Sequence, residues 1–371
     1  MKQRHLMWLL AALFACSCVV AWLAVFGRPG GDAPVAPLAK PALPGVSWRI
    51  PLGARAGRPC VCADGWVVAD AAGGVTKVTQ EGRVRWRTGL SNEVFAGAAE
   101  LAGGRVAVAS ESGRVFCLDG ATGETLWKRA TEARFQHAPL AGLRGAESVL
   151  WLVSQEDGRL FCLRVRDGSV LWTAEATNRC DGEPVAWPGR VAYGNCDGAV
   201  YVFDSLNGKL LGSAEVGADD QMAGGILILD DGRLVTGTRS GHLVLVNPET
   251  RVCEASVKVS ESEAFVTPVA CFLKQIAMGS EEGDVTLWLR EAKVLRQTAH
   301  FATGAAVKGL AFANGRLFFL SGDSLGWVDS PAGEVARLPL GDDVSELAVN
   351  AAGDVVCVAD SALVCVKGGR R

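Results

Sequence analysis

Residues 115–127 read VFCLDGATGETLW. Val115, Phe116, Cys117 and Leu118 make a short apolar run suited to a buried or half-buried strand. Asp119-Gly120-Ala121-Thr122-Gly123 then supplies residues that favour a tight turn, and a second strand ends on Trp127. The stretch predicts a β-hairpin signed by a tryptophan.

The same text returns as LFCLRVRDGSVLW at residues 160–172, with Cys162 in place of Cys117, Gly168 in the turn and Trp172 at the close. Taking the Cys117 position as a marker, the equivalents are Lys77, Cys117, Cys162, Val202, Leu245, Leu287, Trp327 and Cys365. Eight copies about 40 residues apart, each long enough for four short strands, indicate an all-β propeller. Tryptophan marks the fourth strand at Trp48, Trp86, Trp127 and Trp172. Later copies degrade, and Gly212 takes the tryptophan position in the fourth.

Trp48 has no first three strands of its own, whereas residues 347–349, 355–359 and 362–366 read as three strands with no fourth. The N-terminal strand therefore completes the last blade, pairing two otherwise open edges. The reading is an eight-bladed β-propeller over residues 45–367. Its blades fall near 55–90, 91–133, 134–178, 179–217, 218–260, 261–301, 302–342 and 343–367 plus 45–53.

Residues 1–44 differ in kind. Lys2, Arg4 and His5 form a cytoplasmic flank (1–5), and 6–26 is apolar and long enough to span a bilayer as a helix. A cleaved signal peptide has a shorter apolar region, so an uncleaved signal-anchor is favoured. A lipoprotein with Cys16 acylated is the weaker alternative, because Phe14 spoils the lipobox and residues 19–26 stay apolar. Residues 27–44, GRPGGDAPVAPLAKPALP, read as an extended tether. This layout places the propeller on the periplasmic side of the inner membrane, held by a single span.

The repeat text CLDGATGETLW resembles the tryptophan-docking repeats of the quinoprotein-like (PQQ-like) propeller superfamily, with weaker echoes at residues 162–172 and 202–208. In size and layout it is most similar to the propeller lipoproteins of the outer-membrane barrel-assembly machine. The resemblance implies a propeller in which Asp119, Thr122, Gly123, Trp127, Gly168, Trp172, Trp86 and Trp48 are structural. It leaves chemistry open, because function resides in sites grafted on folds. The superfamily's dehydrogenases are longer and often carry adjacent cysteines under the quinone, and no Cys-Cys dipeptide occurs here.

The expectation is a non-catalytic scaffold with no cofactor, monomeric, docking envelope proteins on one rim of the disc. The alternative is a degenerate quinoprotein or small-ligand sensor using the central channel. With 37 basic and 40 acidic residues and a net charge of -3, a nucleic-acid partner has no electrostatic support.

Apparent catalytic and metal signals weaken on inspection. Gly322-Asp323-Ser324-Leu325-Gly326 fits a nucleophile elbow, but no histidine follows Ser324, and repeat alignment makes the stretch a hairpin turn. His5, His137, His242 and His300 lie too far apart to form a local ligand motif. Cys117, Cys162 and Cys365 share a strand position and read as core residues. Cys60 and Cys62 share a strand face and lack the further ligands a zinc site needs. Cys180 and Cys196 flank a hairpin at Trp187-Pro188-Gly189, and pairing centred on residue 188 would set them opposite each other, where a disulfide can form.

Overall fold

The computed structural model describes residues 45–368 apart from 91–94, 176–177, 218–219, 223, 262–267 and 330–332. The expected flank, membrane segment and tether all lie outside these residues. Among the described residues, no helix is long and apolar enough to cross a membrane.

Eight four-stranded antiparallel sheets follow one another. Seven are consecutive in sequence, at residues 60–89, 95–130, 140–174, 185–215, 227–258, 269–302 and 307–339. The eighth joins Val344–Val349, Val355–Ala359 and Ala362–Val366 to Val46–Pro51 at its outer edge. Trp48 pairs with Cys365 and Pro51 with Ala362. Beginning and end of the domain are thus zipped together as the tryptophan spacing requires. Arg49 reinforces the closure, donating to the carbonyl of Leu340 at 2.7 Å and to the Asp360 carboxylate at 2.9 Å.

Strand sequence explains the layering. Second and third strands such as Val355–Ala359 and Ala362–Val366 are buried at every position, because each of their faces packs on a neighbouring blade. Fourth strands such as Thr125–Ala130 alternate exposed and half-buried residues, as outer edges with one wet face do. Eight apolar clusters form the core, one at each seam between successive blades. One of them joins Trp66 and Val68 of the first blade to Val356 and Cys365 of the eighth, so the ring is closed by packing as well as by hydrogen bonds. Cys117, Cys162 and Cys365 lie within these clusters fully buried, as expected.

Candidate functional site

The repeat motif builds the joints between blades. Asp119 accepts hydrogen bonds from the backbone of Ala121 and Thr122 at 2.8 and 2.9 Å, and Thr122 accepts one from Glu124 at 3.2 Å. These N–H donors hold the Asp119 carboxyl below the usual range. The turn brings Gly123 to φ 78°, in the left-handed region that favours glycine. Against that glycine lies the indole of Trp86 from the preceding blade, and a Cβ on Gly123 would stand 2.7 Å from its ring.

The arrangement repeats along the ring. Trp48 packs on Gly82, Trp127 on Gly168 and Trp172 on Gly208, with added Cβ atoms meeting ring atoms at 2.4–2.6 Å. Three of the indoles also donate to the backbone of the next blade: Trp48 to Gln80 at 3.1 Å, Trp86 to Gly120 at 3.1 Å and Trp127 to Val165 at 2.8 Å. The indole N–H of Trp172 is buried without an acceptor. All eight motif residues named from sequence therefore belong to the seams, where they set blade-to-blade geometry.

One face of the disc carries the turns between first and second strands and between third and fourth. Between blades three and four this face holds an apolar recess of about 510 Å³, lined by Leu140, Gly142, Leu143, Trp151, Trp187 and Leu206 among others. Leu143 is 62% exposed and Leu206 48%, so the rim offers large aliphatic side chains to solvent. Arg144, beside Leu143, donates to the carbonyl of Leu206 at 2.7 Å and to Glu147 at 3.1 Å. On the far side of that turn, a polar groove of about 520 Å³ runs past Arg105, Arg164, Arg166, Glu147 and Asp167. An apolar recess beside arginines is the composition of a docking surface. Sequence reading missed it because its members come from three separate turns.

The central channel is charged. Arg58, ahead of the first strand of blade one, reaches Glu183, ahead of the first strand of blade four, at 2.7 Å. His137, Asp181, Lys308 and Glu346 share the cavity of about 260 Å³ beside them. Glu346 stands at φ 52°, and burial raises its carboxyl above the usual range while Arg58 opposes the shift. Burial lowers His137 below the ordinary imidazole value.

The remaining sequence candidates are structural. Gly322 and Asp323 form a hairpin turn between Arg316–Ser321 and Ser324–Val328, and Ser324 is buried with its hydroxyl donating to Asp323. An elbow nucleophile must stand exposed, so this serine does not fit. His242 Nδ1 lies 2.7 Å from the Ser240 hydroxyl and His300 Nε2 lies 2.8 Å from Asp284.

The expected Cys180–Cys196 bond is corrected: both are free thiols. Trp187 pairs with Arg190 around a two-residue Pro188-Gly189 turn, and the paired strands, Val185–Trp187 and Arg190–Gly194, stop short of both cysteines, so the ladder does not set them opposite each other. Beyond the strands the Cys196 N–H donates to the carbonyl of Arg179 at 2.9 Å. Cys180 is buried with its thiol directed at the carbonyls of Gly182 and Gly194, whereas the Cys196 thiol points to Asp181.

These joints and the closed ring define a tryptophan-docked eight-bladed propeller. The family model described as Outer membrane protein assembly factor BamB matches residues 71–288, more than half the chain, and the chain belongs to that family. The crystal structure of BamB from Moraxella catarrhalis superposes with a TM-score of 0.75 at 16% identity, covering 88% of this chain and 100% of that one. Sqt1 from Saccharomyces cerevisiae gives 0.73 at 13% identity, over 89% of this chain and 98% of that one. The computationally designed Ika8 protein gives 0.69 at 16% identity, over 87% and 99%. At such identities the likeness shows the fold alone. No curated protein sequence matches the chain.

Proposed function

We propose that this protein is a non-catalytic interaction scaffold that docks a protein partner in the recess between blades three and four. The observation that carries the reading is the exposure of Leu143 and Leu206 around an apolar recess with Trp187 at its wall and Arg144 at its edge. Monomeric proteins seldom leave such a patch uncovered, and aromatic residues with arginine are the groups that anchor interfaces. Membership in a family described by outer-membrane protein assembly supports envelope proteins as partners. We further propose that residues 6–26 are an uncleaved signal-anchor and that residues 27–44 hold the propeller off the periplasmic face of the inner membrane.

The test places a photocrosslinking residue at Leu143, at Leu206 and, as a control on the outer strand of blade five, at Val252. Adducts to one defined envelope protein from the first two positions, lost in Leu206→Asp, support the proposal. No adduct from the recess, or the same adduct from Val252, overturns it. Intact mass of the membrane-extracted chain separates the N-terminal alternatives: the full sequence means an anchor, loss of the leader means cleavage, and added acyl mass at Cys16 means a lipoprotein.

The channel charges favour a second reading, a degenerate quinoprotein or small-ligand sensor. The cavity of about 260 Å³ is smaller than the roughly 300–1,000 Å³ usual for ligand pockets, which weighs against it. Alcohol-dependent dye reduction after incubation with pyrroloquinoline quinone and calcium would favour it over the scaffold.

A further inference from the structure

Among the described residues, twelve large hydrophobic side chains are exposed to solvent. Eleven stand in, or within two residues of, a turn joining first to second or third to fourth strands. The twelfth, Val46, pairs with Val366 at the same end of its sheet. All twelve therefore lie on one face of the disc, and the turns between second and third strands, on the other face, have none. Single exposed aliphatic groups are ordinary, but chance would divide them between the faces.

Their placement is planar. Seven of the eight fourth strands contribute one each, from Val84 of blade one round to Val294 of blade six, with Val46 of blade eight. The fourth strand is the outer edge of its blade, so these residues mark the perimeter of the disc at one level. Nearer the axis, Phe272 stacks on Phe312 with ring centroids 6.0 Å apart. The adjoining Leu273 is 64% exposed and holds φ 55°, a left-handed turn position that glycine or asparagine fills more readily. Neither burial nor turn chemistry accounts for a leucine there. A protein partner covers one sector of such a face, as the recess between blades three and four allows. Only a flat and extended apolar medium meets the whole perimeter at once.

Charge says which medium. Six of the twelve have lysine or arginine as a sequence neighbour, as in Arg83-Val84-Arg85, Lys209-Leu210 and Leu273-Lys274, and none has aspartate or glutamate. An aliphatic tip beside a cation suits the boundary of a bilayer, where the first enters the acyl region and the second stays with lipid phosphate. The opposite face has the reverse character. Seven of its eight turns between second and third strands carry an acid, among them Glu111, Glu156, Asp197 and Asp323, and the eighth carries Arg239. An anionic lipid surface repels that face and attracts the other.

From this division we propose that the apolar face is a membrane-contact surface, lying flat on an anionic bilayer with its aliphatic perimeter in the headgroup region. Lipid contact needs no docked partner, and a protein held in the recess would lie at the same surface.

The test places a genetically encoded fluorescent amino acid at Val84, Leu210 or Val294, or at Glu156 on the opposite face, in the full chain reconstituted into vesicles. The vesicles contain brominated phosphatidylcholine, alone or mixed with phosphatidylglycerol. Bromine quenches only at contact range, so quenching reports the face that meets the lipid whatever holds the chain to the vesicle. All three perimeter positions should be quenched in the anionic vesicles while Glu156 stays bright. Combining Lys209→Glu with Lys274→Glu should shift the ratio of apposed to free discs about tenfold or more toward the free form, as cations lost beside an anionic surface imply. Both lysines are exposed, so an unchanged unfolding curve is expected alongside. Bright perimeter positions, quenching at Glu156, quenching in one sector only, or equal quenching in neutral vesicles would each overturn the proposal. So would a doubled mass with the perimeter labels shielded in detergent, which would assign the face to a second copy.

Discussion

The tryptophan-signed seams and the seam between blades four and five solve one packing problem from opposite sides. Between blades two and three, the ring of Trp127 lies over Gly168 at φ 70°, so the large group comes from the fourth strand and the turn makes room. Between blades four and five, the fourth strand supplies Gly212 and the turn supplies Arg251 at φ 59°. Arg251 Cδ lies 2.4 Å from where a Gly212 Cβ would be, and its guanidinium donates to the carbonyl of Leu211 at 2.9 Å. The joint holds one large side chain, and either partner can provide it. Loss of the tryptophan in blade four is therefore a substitution with a partner and not simple decay of the repeat.

A further contrast lies one seam on. Between blades five and six, ionic contacts supplement the apolar cluster. Arg290 of blade six reaches Asp231 at 2.6 Å, and Lys293 reaches Glu254 at 3.2 Å. Arg233 of blade five is paired with both carboxylates. At this seam ion pairs reinforce a hydrophobic contact that every seam shares.

The sharpest way to break the contrast is Trp127→Ala, which empties a joint. We expect a loss of about 3–5 kcal/mol, the range for large aromatic truncation, read by denaturant unfolding. A smaller loss would mean that the neighbouring blades collapse into the gap. Gly168→Ala attacks the same joint from the other side, combining left-handed backbone strain with a Cβ 2.6 Å from the indole, and should cost about 1–3 kcal/mol.

The reciprocal rule is tested directly by Gly212→Trp, which must clash with Arg251, and by its combination with Arg251→Gly. The double variant should recover part of the loss, giving a coupling energy of about 0.5–3 kcal/mol in a double-mutant cycle. Additive effects would refute the shared joint.

The smallest effect concerns acid. The Arg233 guanidinium, with Asn247 and Lys293, holds the Glu254 carboxyl down at about 2. A carboxylate depressed in the folded state stabilises the fold at pH above the ordinary glutamate range. That contribution drains as pH falls from there toward about 2. Glu254→Gln should flatten the dependence of stability on pH in that window and leave its shape above pH 6 unchanged. An unaltered acid limb would show that the pair is screened to insignificance.

Fold and ring closure were legible because both depend on spacing. Trp48, Trp86, Trp127 and Trp172 recur at the length of four strands and four turns, and the count of strands at the two ends leaves one answer. The docking glycines were visible as turn residues, but not as the floor beneath the preceding blade's indole, since that contact joins residues about 40 apart. The Cys180–Cys196 pairing was misread for a local reason. The sequence suggested a hairpin long enough to reach both cysteines, but its ladder ends at the Val185–Ala192 pair, short of either. The recess at Leu143 and Leu206 had no signature at all, because its walls converge from turns of different blades.

By itself the sequence determined the number of blades, the order of strands and the closure of the ring, since a period and a missing strand are properties of the chain in one dimension. Only the tertiary structure decided which side chains meet across each seam, that Arg251 stands in for an absent tryptophan, and where apolar groups are left facing water. Those outcomes depend on the angle and distance between neighbouring sheets, which packing of whole faces sets and no single stretch of residues encodes.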